Sequence, residues 1–249
     1  MKSELDLGCF PTGRHYPGIA HLLRVVAAGI IEEFVGTTAL DELEIVSIDT
    51  ETTGRDPLND RIVEIAAVIW HRGEIKSRHS WLINPGCPIP AETVAVHGID
   101  DEAVKDCPAF AELAGEIASV LNGRVPLAYN AEFDLKFIHQ EYARTQVELL
   151  RVPPALRRGV EWLDPLVWAR ELQKYEKSKA LGEVCSRLGI ELTNAHRATN
   201  DAEAAMHVFA CFAKDTRVPK TYAAFVQEQR RLARIQEEER ARWRAGRGG

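Results

Sequence analysis

The sequence predicts a mixed α/β domain over residues 41–214, with a helical extension on either side of it. Three observations carry that reading. Three short apolar runs follow one another closely between residues 43 and 83, strand and helix patterns then alternate as far as residue 163, and a strongly helical stretch closes the domain at 198–214. Residues 1–40 begin with Gly8, Pro11, Gly13, Pro17 and Gly18. They continue with Ile19, Leu22, Leu23, Val26, Ile30 and Phe34, an i, i+3, i+4 rhythm that predicts an amphipathic helix packed on a larger body. Residues 43–48 form a first apolar run, ended by the turn residues Thr52, Thr53, Gly54, Asp56 and Pro57. A second run follows at 62–70, a turn at His71, Arg72 and Gly73, and a third run at 77–83. Tight connections between three strands predict an antiparallel meander.

Beyond the meander the pattern gives a helix at 108–121, a strand at 125–129, a helix at 131–144 and a strand at 160–163. Further helices are predicted from about residue 165 and at 179–188, the latter closed by Gly189. Such alternation places parallel strands beside the meander, with helices on the faces. Residues 215–249 read as a charged tail. Opposite charges four apart (Arg234 with Glu238, Glu238 with Arg242) predict a solvated helix that frays at 246–249, and an arginine-rich grip on nucleic acid is the sharper alternative.

Composition bounds the function. The chain has 249 residues, with 31 Lys and Arg against 37 Asp and Glu, a net charge of −6; 45% of it is hydrophobic and 27% charged. These values exclude disordered, collagen-like and coiled-coil classes. An acidic balance does not by itself advertise nucleic-acid binding, unless the acids are engaged by metal ions. Cys9, Cys87, Cys107, Cys185 and Cys211 are scattered and form no C-x-x-C pair, which predicts reduced thiols and no zinc site. The stretch 19–35 is interrupted by Arg24 and short for a bilayer, and no apolar segment suited to a signal peptide precedes it. A cytoplasmic protein with no membrane partner is the expectation.

Three groups of residues carry chemistry. Asp49 and Glu51 end the first strand, and alternation sets both carboxylates on one face. Like charges so placed are costly unless a cation lies between them. Asn130-Ala-Glu-Phe-Asp134 follows the strand at 125–129, which puts Asp134 near the first turn of the next helix. His196 stands five residues before Asp201. That spacing does not share a helix face, so His196 is expected on the loop that enters the helix.

In order and spacing, Asp49-Thr-Glu-Thr-Thr-Gly54, Asn130-x-x-Phe-Asp134 and His196-x-Ala-x-x-Asp201 resemble the three motifs of the DEDD exonucleases, histidine subclass. Asp60-Arg-Ile-Val-Glu-Ile-Ala67 and Val96-His-Gly-Ile99 support the match, which spans residues 43–212. The resemblance implies a ribonuclease H-like fold. It also implies that Asp49, Glu51, Asp134 and Asp201 bind two divalent cations, Mg²⁺ or Mn²⁺, and that His196 is the general base. The backbone around Thr52 would receive the terminal 3′-hydroxyl, His97 would lie beside the terminal nucleotide, and Thr53, Asn130 and Phe133 would complete the substrate-binding set. Tyr129 stands where many relatives carry histidine, a departure that touches no metal ligand. The implied activity is a 3′–5′ exonuclease on single-stranded or frayed DNA 3′ ends that releases nucleoside 5′-monophosphates. RNA 3′ ends are the alternative substrate, an inactive binding module a weaker one, and a polymerase the implied partner for any replicative role.

Overall fold

A computed structural model describes residues 29–145, 152–192 and 197–246. Its centre is a four-stranded sheet of β1 (Ile45–Thr52), β2 (Ile62–His71), β3 (Glu74–Leu82) and β4 (Val125–Leu127), ordered β3-β2-β1-β4. β1 and β2 pair antiparallel, as do β2 and β3, while β4 runs parallel to β1 with Ile45 opposite Val125. The turn between β2 and β3 has Arg72 at φ 53° and Gly73 at φ 82°. Two consecutive positive φ values match the twist of a two-residue hairpin, and glycine adopts such a value without cost. β3 is the outer edge, with Lys76 and Arg78 exposed.

The chain alternates its faces as a buried central strand should. Val46 and Ile48 of β1 pack with Ile65, Ile69, Phe110, Ile117, Phe137 and Ile138 beneath α3 (Phe110–Leu121) and α4 (Ala131–Arg144). On the opposite face Ile45 joins Trp70, Trp168, Met206 and Phe209 beneath α5 (Pro165–Leu172), α6 (Leu181–Leu188) and α7 (Ala198–Phe212). Two short helices at Ala91–His97 (α1) and Asp101–Val104 (α2) cover the end of the meander, and neither was expected from the sequence. α8 (Tyr222–Ala245) starts inside the core, with Tyr222, Phe225, Val226, Gln229 and Leu232 buried, and ends as an exposed Arg/Glu helix. Glu238 and Arg242 lie 3.7 Å apart there. No helix among the described residues is long and apolar enough to cross a membrane.

Two expectations are corrected. The helix read through Ile30 and Phe34 is absent from residues 29–38, which form turns; residues 1–28 lie outside the described residues. Gly29 takes φ 74°, Ile30 and Ile31 are both buried although adjacent, and the Ile31 amide donates to the Tyr222 hydroxyl at 3.2 Å. Tertiary burial therefore overrides a helical period that was real in the sequence. The strand expected at 160–163 is reduced to a single parallel bridge between Leu127 and Leu163. Its neighbouring polar groups are engaged otherwise: the Glu161 amide donates to the Gly29 carbonyl at 2.8 Å, and Trp162 and Asp164 bond to a side chain of α8.

Candidate metal-binding active site

Asp49 and Glu51 face the α7 side of the sheet, on the same face of β1 as Ser47. What brings a third acid to them is small residues. Ala198 and Ala202 of α7 are fully buried against Ala66 and Val68 of β2, so helix and sheet approach closely. The Ser47 hydroxyl then donates to the Ala202 carbonyl at 2.6 Å and fixes the register. Asp201, in the first turn of α7, falls beside the strand end. One carboxylate oxygen from each of Asp49, Glu51 and Asp201 lies within 4.8 Å of the others. Asp134 is not one of that group. It is 3% exposed in the first turn of α4, where its Oδ1 accepts from the Thr50 hydroxyl at 2.8 Å. The four predicted acids thus converge on one strand end, three as a cluster and Asp134 on the neighbouring threonine. His196 lies outside the described residues.

The electrostatics of the cluster are strained. Burial is the main reason that Glu51 is pushed up to about 7; Asp201, Glu64 and Asp134 raise it further, and Arg197 opposes them. Asp49 is raised well above the usual carboxylate range by burial and by Asp134, Asp201, Glu51 and Glu64. Asp134 reaches about 7 through burial, although the Thr50 hydrogen bond pulls it down. A donor set made only of oxygens and rich in negative charge fits a hard divalent cation, which would relieve this repulsion. The fit has a pH signature. Folded-state values above the unfolded ones mean that the metal-free fold binds extra protons, so their stabilising effect is complete below about pH 4 and lost as pH rises through about 7. Mg²⁺ is therefore expected to raise the melting temperature clearly at about pH 8 and hardly at all at about pH 5. Differential scanning calorimetry checks this, and equal shifts at both values would contradict it.

A cleft of about 620 Å³ adjoins the acids, lined by Glu51, Thr52, Thr53, His97 and Phe133 among others. The Thr52 hydroxyl donates to the Gly54 carbonyl at 2.6 Å, and the Thr53 amide to the Arg61 carbonyl at 2.9 Å. His97 is buried, and its Nδ1 accepts from the Ile99 amide at 3.1 Å, which leaves the neutral ring protonated on Nε2. The loop that carries Thr52 and Thr53 is tied to α4 by Arg61, whose Nε and Nη2 reach the buried Glu141 carboxylate at 2.7 and 3.0 Å. Asn130 does not line this cleft. It stands at the start of α4 with φ 69° and ψ 50°.

Sequence reasoning missed Glu64. It pairs across the ladder from Glu51, is 2% exposed, accepts from the Ser80 hydroxyl at 2.8 Å, and lies 3.6 Å from Arg197. A lone acid inside the apolar run 62–70 was the available signal.

A mixed sheet whose central strand ends in acids that meet another acid from a facing helix defines a nuclease of ribonuclease H-like fold. The chain belongs to the exonuclease family: the family's sequence profile (RNase_T) matches residues 46–209. It falls within the DEDD 3′–5′ exonuclease superfamily. The PolC-type DNA polymerase III of Streptococcus thermophilus is 31% identical over 223 residues, 86% of this chain but 15% of that protein. That of Oceanobacillus iheyensis is 34% identical over 165 residues, 66% of this chain and 11% of that one. The chain therefore spans only a small part of these relatives. Among solved structures, Exonuclease X in complex with 5′ overhanging duplex DNA superimposes with a TM-score of 0.56 at 23% identity, over 73% of this chain and 99% of that one. E. coli Exonuclease I in complex with a dT13 oligonucleotide gives 0.59 at 20% identity, over 70% and 41%.

Proposed function

We propose that the protein is a metal-dependent 3′–5′ exonuclease of the histidine subclass that acts on single-stranded or frayed DNA 3′ ends and releases nucleoside 5′-monophosphates. The observation that carries this is the convergence of Asp49, Glu51 and Asp201 within 4.8 Å, with Glu51 also lining the Thr52–His97 cleft and Asp134 bonded to the neighbouring Thr50. These four acids would hold divalent cations, Mg²⁺ or Mn²⁺ as a pair, which when bound would supply charge stabilisation to an in-line displacement at phosphorus. His196 takes the proton of the attacking water. The water oxygen bonds to phosphorus, the bond to the 3′-oxygen breaks, and that oxygen is protonated from solvent. The backbone at Thr52 and the neighbouring Thr53 receive the terminal 3′-hydroxyl, while His97 and Phe133 flank the last base.

The likeness to PolC-type polymerases and to exonucleases solved with DNA supports DNA over RNA, and it supports a polymerase as partner in the cytoplasm. Residues 41–214 form the catalytic domain in this reading, with 1–40 and 215–249 as extensions. Matched DNA and RNA oligonucleotides with Mg²⁺ test the proposal. DNA with a free 3′-hydroxyl is expected to be shortened to mononucleotides, a 3′-phosphate to block it, a 5′-phosphate to have no effect, and EDTA to abolish the reaction. Cutting of circular single-stranded DNA would show an endonuclease, and preference for RNA would move the substrate assignment.

A further inference from the structure

The start of α4, which carries Asp134, is capped from outside itself. Asn130 at its N-cap is left-handed and offers no side-chain cap, so the first amides need an acceptor from elsewhere. Asp164 supplies it: Oδ1 accepts from the Asn130 amide at 3.0 Å and Oδ2 from the Ala131 amide at 3.2 Å. The same Oδ1 caps α5 through the Leu166 amide at 2.8 Å, so one carboxylate fixes the start of two helices. Asp164 is in turn held by Gln229 of α8, a side chain 2% exposed. Gln229 Oε1 accepts from the Asp164 amide at 2.8 Å, and Nε2 donates to the Trp162 carbonyl at 2.8 Å.

We propose that Asp164 and Gln229 are positioning residues of the catalytic centre, a relay by which α8, outside the matched exonuclease segment, sets the Asp134 carboxylate against Thr50 and the acidic cluster. Asp134 lies three residues beyond Ala131 in the first turn of the same helix, where the Phe133 amide also donates to the Asn130 carbonyl at 3.0 Å. A displaced start of α4 moves Asp134 directly, while Asp49, Glu51 and Asp201 sit on other elements. Charge-assisted acceptors at consecutive amides are the stronger kind of hydrogen bond, which suits a residue that must hold a left-handed backbone in place.

The relay rests on the nuclease reading only in its kinetic arm. Asp164→Asn places an amide donor where an acceptor is needed. Gln229→Leu removes both bonds to the 162–164 segment, and Gln229→Glu keeps the acceptor for the Asp164 amide. Hydrogen–deuterium exchange of the metal-free protein is expected to quicken roughly tenfold or more at residues 130–134 in Asp164→Asn, as loss of a charged hydrogen bond implies, with the core strands unchanged. Gln229→Leu is expected to show the same local change and Gln229→Glu a smaller one. Turnover of a DNA oligonucleotide is expected to fall about tenfold to a hundredfold in the first two variants, with KM nearly constant, as for a catalytic group slightly misplaced. Should Asp164→Asn fail to fold, the two Gln229 variants carry the test. Wild-type exchange at 130–134 in the folded variants, or turnover that falls only with the folded fraction, would overturn the relay. A wild-type protein that cuts no DNA would instead overturn the proposed function, with the exchange arm still deciding the relay.

Discussion

Asp49→Asn and Asp201→Asn are expected to lower turnover by about a thousandfold or more, roughly 4 kcal/mol of barrier, while raising the melting temperature of the metal-free protein. The two effects have one cause. Both acids stand among other carboxylates, and Asp134, Asp201, Glu51 and Glu64 raise Asp49 beyond what burial alone does. An isosteric amide removes one charge from that repulsion and so favours the empty fold. It also removes a donor from the set that would hold the cations, and with them the chemistry. Oligonucleotide digestion with Mg²⁺, beside thermal melts in EDTA, measures both. A variant that keeps full activity would sink the site assignment, and one that loses activity and melts earlier would show that the acids serve the fold.

His196→Ala should cost about 10²–10⁴-fold in turnover, the usual worth of a positioned acid–base group. The motivation is its place in the sequence, five residues before Asp201. Metal affinity should change little, because the histidine is not proposed as a ligand; calorimetric titration with Mn²⁺ checks that. The wild-type rate should climb with pH as the histidine loses its proton and then level, a step the variant should lack. Collapse of metal affinity would make His196 a ligand or a structural residue. An unchanged rate would leave the water to be activated without it.

Much of this site was legible because it follows from local periodicity. Alternation along residues 43–51 predicted that Asp49 and Glu51 share a face, and the strand-to-helix change after Tyr129 predicted where Asp134 sits. What escaped depended on pairings between distant segments. Glu64 faces the acids only because the β1–β2 register sets it opposite Glu51, and the loop 53–61 hides that register from any local pattern. Asp164, just before Pro165, was not singled out in the sequence; in the structure it caps α5. Its second duty, to α4, exists only because Leu163 lies beside β4. Gln229 sits in a stretch whose composition reads as solvated, yet α8 begins with Tyr222 and Phe225 in the core. At Ile30 and Phe34, the described end of the helix read from residue 19, the apolar spacing is present but the chain turns, since the adjacent Ile30 and Ile31 are both claimed by the interior.

The open border of the sheet has a consequence for how this chain behaves in company. Among the described residues β3 has no strand beyond it and offers a row of backbone groups, the kind of template that invites a second molecule to add on. Lys76 and Arg78 project from that row, and Arg78 is held across the sheet by Glu203 of α7 at 2.6 Å. Lys76 is likewise paired, with Glu74 at 2.6 Å, so a strand arriving from another copy would meet a charged border. The opposite border, at β4, is shut by the Leu163 bridge and by Pro126, which has no amide hydrogen to give. The fold therefore carries its own protection against edge-to-edge aggregation at both margins, and replacing Lys76 and Arg78 together with threonine should be enough to make concentrated solutions associate.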